Sequence, residues 1–278
     1  MTALTALARI APPLAAELAW RAWRRVGPPA AVHERDAATH ARAHIQNLGP
    51  VVTYRWGTGP RVILLVHGWH SRASRFSAVI DALEGPDTTI LAFDAPANGA
   101  TPGRFVTVLD YVDAIEQLAR RHGQIDTIIG HSFGVLASFI AVRESVRVRR
   151  LVAISGMYDA AQLIDEFSRR AGIAGAAKRG LRRRIERRTF PQVANPWRRF
   201  VSETDPTDGM PLLIVHDSTD TYVDPGQALL IADAHTGPVE SLITTGLGHS
   251  RILGDPGVVA RIADFAAAGI ERAGRTRD

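Results

Sequence analysis

Cysteine is absent from all 278 residues, which excludes disulfide staples, thiolate metal sites and a cysteine nucleophile. Lysine is almost as scarce. Lys178 stands alone among 33 Lys and Arg residues, set against 28 Asp and Glu, for a net charge of +5. A positive balance carried by Arg in an Ala- and Gly-rich chain follows from coding bias as readily as from a binding surface. Zinc-finger spacing, an RNP-like strand and a phosphate-cradling glycine loop are all missing, so nucleic acid is not an expected partner. Long apolar runs are missing too: Arg9 and Glu17 interrupt the best candidate well short of the ~18–20 residues of a membrane span. No basic residue precedes Ala8 and Pro12-Pro13 splits the apolar start, which argues against a secretory signal. The expected location is cytoplasmic. Internal repeats and low-complexity tracts are lacking as well.

What is present is enough apolar residue, 46% of the chain, for one large core with an insertion. Residues 14–26 read as an amphipathic helix with Glu17, Arg21, Arg24 and Arg25 on one face and Leu14, Leu18, Trp20 and Trp23 on the other. The first reading is a helix docked on the core or on its insertion; the second is peripheral contact with a membrane surface. Residues 30–40 read as linker. From Ala41 onward strands and helices alternate. A hairpin is expected at 44–48 and 51–56, then buried strands at 62–66, 88–93, 125–129, 151–154, 211–215 and 239–244, because each is a short apolar run bounded by turn residues. Helices are expected at 71–83, 110–122, 135–141, 225–234 and 255–268. Such alternation implies a mostly parallel sheet with helices on both faces. Residues 157–209 break it. They are helical in propensity, and from Asp165 to Phe200 eleven Arg or Lys face only Asp165, Glu166 and Glu186. This segment is expected as an insertion over the carboxyl ends of the strands, where α/β sheets bind ligands. The domain reading is therefore 1–40 as N-terminal helix and linker, 41–156 with 210–278 as core, and 157–209 as a basic helical cap.

One stretch organises the rest. An apolar run ends at Ile129 and meets Gly130-His131-Ser132-Phe133-Gly134, and a helical pattern follows at once. A strand, a sharp turn and a helix are the setting in which G-x-S-x-G presents a nucleophilic serine, with glycines where side chains have no room. A serine hydroxyl needs a base within hydrogen-bond reach, and that base needs an acid to hold it. His249, in Gly246-Leu247-Gly248-His249-Ser250 directly after the last strand, is the best placed of ten histidines for the base; His67, His131 and His216 also sit at strand ends, close to turns whose geometry they are expected to support. Two carboxylates follow Val215. Asp217 suits a turn residue, Asp220 sits deeper in the loop and is preferred as the acid, and Asp159 is a distant third. Acyl transfer also needs two backbone N–H donors for the developing oxyanion. Phe133 N–H, next to the nucleophile, and Trp69 N–H, in the loop after Val66, are the expected pair. Trp69, Phe133, His70, Met157 and Tyr158 are expected as pocket walls from their positions alone.

With His67-Gly68-Trp69, Asp94-Ala95-Pro96-Ala97-Asn98-Gly99, Gly130-His131-Ser132-Phe133-Gly134, the 216–223 loop and Gly248-His249 in this order, the chain resembles the α/β-hydrolase fold family over roughly residues 41–270. The resemblance implies a Ser132–Asp220–His249 triad, an oxyanion hole from Trp69 and Phe133, and a cap shaping the pocket. Asn98 and Val135 depart from residues common among relatives, at positions that carry no chemistry. Serine at the nucleophile position argues against epoxide hydrolase or dehalogenase chemistry, which uses a carboxylate there. The implied activity is that of a serine hydrolase of carboxylesterase type, acting on a small-molecule ester with an apolar acyl group. No metal or cofactor is called for. The same triad would serve a thioesterase, an amidase or aminopeptidase-like enzyme, or an acyltransferase, and a non-catalytic binding protein on this fold is the reading of another class. Arg182, Arg183, Arg184, Arg187 and Arg188 suggest either an anionic substrate or lipid surface, or a solvated helix face. Natural substrate, chain length and oligomeric state are not legible.

Overall fold

A computed structural model describes residues 3–203 and 209–268. Pro206 of the expected cap and the residues after 268 of the expected core lie outside the described residues. The chain opens with α1 (Ala3–Ile10) and α2 (Pro12–Trp23). Pro12 and Pro13 do not precede the second helix but begin it, at positions whose N–H has no intrahelical acceptor. The reading of residues 30–40 as linker is corrected: they contain α3 (Glu34–Ala41). Its buried residues are polar, so no apolar period marks it. Asp36 accepts a hydrogen bond from Ser77 Oγ at 2.6 Å, and Thr39 Oγ1 donates to Asp81 at 2.8 Å while its carbonyl receives Trp56 Nε1–H at 2.8 Å.

Strands β1 (His44–Leu48), β2 (Val51–Gly57), β3 (Arg61–Val66), β4 (Thr88–Asp94), β5 (Ile125–His131), β6 (Val148–Ile154), β7 (Leu212–Asp217) and β8 (Val239–Thr244) form one sheet. Their order is β1-β2-β4-β3-β5-β6-β7-β8. The first two strands run antiparallel, and β2 is antiparallel to β4; every pair from β4 to β8 is parallel. The connections are α4 (Ser77–Leu83), α5 (Val108–His122), α6 (Phe133–Glu144), then α7 (Ala161–Ala171), α8 (Gly175–Arg184) and α9 (Pro196–Arg199) between β6 and β7, and α10 (Gly226–Ala234). After β8 come α11 (Gly248–Arg251) and α12 (Pro256–Ala267). Alternate residues of each strand feed two cores. Ile63, Leu65, Ile129, Val152 and Val215 meet Val79 and Ile80 of α4 and Ile262 and Phe265 of α12. Leu64, Val66, Phe93, Ile128 and Ile214 meet Ile115 of α5, Leu136 and Phe139 of α6 and Ile231 of α10. Burial on both faces is why these strands read as unbroken apolar runs. Strand order reverses at β3, which pairs with β4 on one side and β5 on the other, so the carboxyl ends of β3 and β5 flank the switch point where open α/β sheets bind ligands.

The N-terminal helix docks on the inserted segment. Ala15, Ala16, Ala19 and Trp20 are buried, and a Cβ on Gly180 of α8 would lie 2.8 Å from Ala16 Cβ, so the Ala16 methyl packs directly on the Gly180 backbone. Trp20 Nε1–H donates to Thr189 Oγ1 at 3.1 Å. Among the described residues no helix is long and apolar enough to cross a membrane.

Candidate active site

Between the end of β5 at His131 and the start of α6 at Phe133 a single residue turns the chain. Ser132 does so with φ 55° and ψ −120°, a conformation L-residues avoid at a cost of about 1–3 kcal/mol. Its N–H donates to the Ile154 carbonyl at 2.9 Å. Two glycines make the turn sterically feasible. A Cβ on Gly134 would stand 2.2 Å from the Val66 carbonyl oxygen, and one on Gly130 would stand 2.9 Å from Val135 Cα. Val135 is accommodated by Gly156, where a Cβ would meet Val135 Cγ1 at 2.7 Å. Ser132 therefore sits at the N-terminus of α6, where unsatisfied N–H groups favour negative charge.

The loops after β7 and β8 bring Asp220 and His249 together: His249 Nδ1 lies 2.7 Å from Asp220 Oδ2. Burial alone would raise the Asp220 carboxyl, but hydrogen bonds from His216, His249 and Val223 N–H outweigh it and hold the group well below the usual carboxylate range. Its other oxygen, Oδ1, accepts from Tyr222 N–H at 2.8 Å and Val223 N–H at 3.1 Å. An ionised carboxylate only accepts, so the proton of His249 resides on Nδ1 and Nε2 keeps its lone pair. Asp217 does not touch His249; it ties the two loops to each other. Burial opposes its charge, yet donors from Thr219, Thr244, Leu247 N–H and Gly248 N–H keep its carboxyl low. Two further histidines, read from the sequence as supports of backbone turns, reach His249 and Asp220. His131 bonds through Nε2 to the His249 carbonyl at 2.9 Å, and burial followed by the neighbouring His249 pushes its pKa down to about 3, so it stays neutral. His216, buried beneath the loop, places Nε2 3.5 Å from Asp220 Oδ2. Their positions at strand ends were the available signal.

The loop after β3 passes directly over the elbow, since a Cβ on Gly68 would come within 3.0 Å of Ser132 Cβ. The Gly68 carbonyl is held by two donors, Tyr111 Oη at 3.1 Å and His67 Nδ1 at 2.7 Å. Burial lowers the His67 pKa, and Nε2 of its neutral ring accepts Ala95 N–H at 3.0 Å, which puts the proton on Nδ1. In a trans peptide the N–H of Trp69 is directed opposite to that carbonyl.

Ser132 and His249 line one cavity of about 500 Å³. Trp69, His70, Phe133 and Met157 are on its wall, as expected from the sequence. Tyr158 is not; its hydroxyl donates to Glu203 and its backbone N–H to Gln227 Oε1 at 2.9 Å. Proximity in sequence to Met157 put it on the wrong side of the chain. The insertion supplies Leu163, Phe167, Ile185, Phe190 and Trp197, so the interior is largely apolar and aromatic. Polar groups gather beside His249: Arg170 sits 4.7 Å from the Tyr222 ring centroid, and Tyr222 lies 5.3 Å from the His249 ring. Of the five clustered arginines, Arg184 and Arg188 bind Glu17 of α2 and Arg182 stacks on Trp197.

The sequence profile of the Alpha/beta hydrolase family matches residues 63–262, and the chain belongs to that family. No curated protein matches it in sequence. Among solved structures, a putative lipase from Acinetobacter baumannii is similar at 15% identity and TM-score 0.61, over 86% of this chain and 97% of that one. An esterase from Pyrococcus furiosus is similar at 19% identity and TM-score 0.58, over 86% and 95%. A haloalkane dehalogenase from Bradyrhizobium elkani is as similar, at 16% identity and TM-score 0.58, over 83% and 99%. Esterase and dehalogenase stand equally near, so likeness of fold selects no reaction; the site's residues must.

Proposed function

We propose that this hydrolase cleaves a carboxylic ester of an apolar acyl group through an acyl-enzyme on Ser132. The observation that carries the reading is the strained Ser132 sharing a cavity with His249, whose Nδ1–H is held by ionised Asp220. Ser132 Oγ attacks the ester carbonyl while its proton passes to His249 Nε2. Asp220 stabilises the imidazolium and fixes its orientation. The carbonyl oxygen becomes an oxyanion facing the N–H groups of Phe133 and Trp69, each worth about 3 kcal/mol in the barrier. Collapse breaks the ester C–O bond, and His249 returns the proton to the leaving alcohol. Water then attacks the acyl-enzyme with His249 as base, the acid departs and Ser132 recovers its proton. The peptide between Gly68 and Trp69 is locked by Tyr111 and His67, so the second donor needs no reorganisation during the reaction. The apolar lining of the cavity supports an apolar acyl group, and the insertion at 157–209 acts as the cap that encloses it. Steady-state hydrolysis of p-nitrophenyl esters tests this: Ser132→Ala is expected to lose about 10³-fold or more in kcat. Residual activity within 10-fold of wild type would exclude Ser132 as nucleophile.

A further inference from the structure

The family match begins at residue 63, yet the arm before it reaches the cavity. Trp23, the last residue of α2, is half-buried and lines the same cavity as Ser132 and His249. It is anchored from two sides. Toward the insertion, Glu17 accepts from Arg184 Nε at 3.2 Å and from Arg188 at 2.9 Å, and α2 lies directly on Gly180. Toward the core, the Arg24 guanidinium lies 4.3 Å from the Trp20 ring and 4.1 Å from the Phe105 ring. Arg25 bridges to Phe105 in the backbone, and the Pro28 carbonyl bonds His70 Nε2, itself on the cavity wall, at 2.7 Å. The arm thus spans from insertion to core, with the backbone that carries Trp23 fixed between the two anchorages. The indole on this backbone, packed against the core, gives the cavity a large and mostly apolar stretch of wall.

Resting on the hydrolase reading above, we infer that the N-terminal arm is a strap that completes the acyl-binding cavity, and that Trp23 is the specificity-determining residue limiting acyl chain length. Filling or freeing room for one methylene in an apolar pocket changes discrimination about 10- to 200-fold, and an indole occupies the space of several methylenes. The test compares kcat and KM of the full chain for p-nitrophenyl acetate, butanoate, octanoate and dodecanoate in wild type, Trp23→Ala and Trp23→Leu. Thermal melts of each variant report folding. The expected result is a rise of at least about 10-fold in the ratio of kcat/KM for dodecanoate over butanoate in Trp23→Ala, carried mainly by KM, and a smaller rise in Trp23→Leu. Should Trp23→Ala unfold, Trp23→Leu carries the test. A ratio that falls, or stays within about twofold of wild type, in a folded variant overturns the inference. Wild type that turns over none of the four esters is a different failure, that of the hydrolase reading itself.

Discussion

Asp220→Asn preserves side-chain volume, so its consequences follow from hydrogen bonding alone. Oδ1 of Asp220 is committed to the Tyr222 and Val223 N–H groups, at 2.8 and 3.1 Å. In the variant only the amide oxygen can take that place, because an NH₂ there would oppose two donors. The amide nitrogen must then face His249 Nδ1, now 2.7 Å from Oδ2. An NH₂ group donates and cannot accept, so His249 loses its proton from Nδ1 and carries one on Nε2 instead. In that tautomer Nε2 cannot receive the Ser132 proton. The expected loss is 10³–10⁴-fold in kcat, about 4–5.5 kcal/mol of transition-state stabilisation, with little change in KM. Steady-state kinetics on p-nitrophenyl butanoate measures it, with a thermal melt to establish that the variant folds. A folded Asp220→Asn with less than a 10-fold loss in kcat would refute the tautomer argument and, with it, the role of Asp220.

Tyr111→Phe removes one of two donors to the Gly68 carbonyl, a loss of about 1 kcal/mol in positioning the Trp69 N–H; kcat should fall about fivefold with KM unchanged, and a change in KM alone would contradict this. Stability should fall as pH drops below 6.5, because burial depresses the folded-state pKa of His67 and takes that of His131 to about 3, while the unfolded chain protonates both; each contributes a slope of at most about 1.4 kcal/mol per pH unit. Below the ordinary Asp value of 3.8 the protonation of Asp217 and Asp220 should add to the loss, since their folded carboxyls are depressed. Urea unfolding from pH 7.5 to 4 reads the histidine part, with a flatter slope in His131→Gln; a wild-type curve flat over that range would contradict the assignment.

The sheet was legible because strands buried on both faces must be apolar throughout, as Val62 to Val66 are, and because turn residues bound them. The elbow was legible because its two glycines answer a steric need that the structure displays at Val66 and Val135. Helix α3 was not, since it is anchored by Asp36 and Thr39 through hydrogen bonds that leave no hydrophobic period. The pocket was legible only near the strand ends. Trp69, His70 and Met157 follow strands and line the cavity, whereas Trp23 reaches it from α2 and Phe190 and Trp197 from the insertion, a packing that no local pattern encodes. Tyr158 was misplaced because, beyond the end of β6, sequence adjacency to a wall residue does not determine which way the next side chain turns. His131 and His216 were assigned only to supporting turns; their bonds to His249 and Asp220 depend on loops distant in sequence.

The central claim is that Ser132 is an activated nucleophile. Labelling with a fluorophosphonate, read by intact mass, tests it most directly on wild type, Ser132→Ala and His249→Ala. One adduct on wild type, none on Ser132→Ala and a strongly slowed reaction on His249→Ala is the predicted result. Folded wild-type protein that takes up no adduct, or a Ser132→Ala variant labelled as fast as wild type, would contradict it.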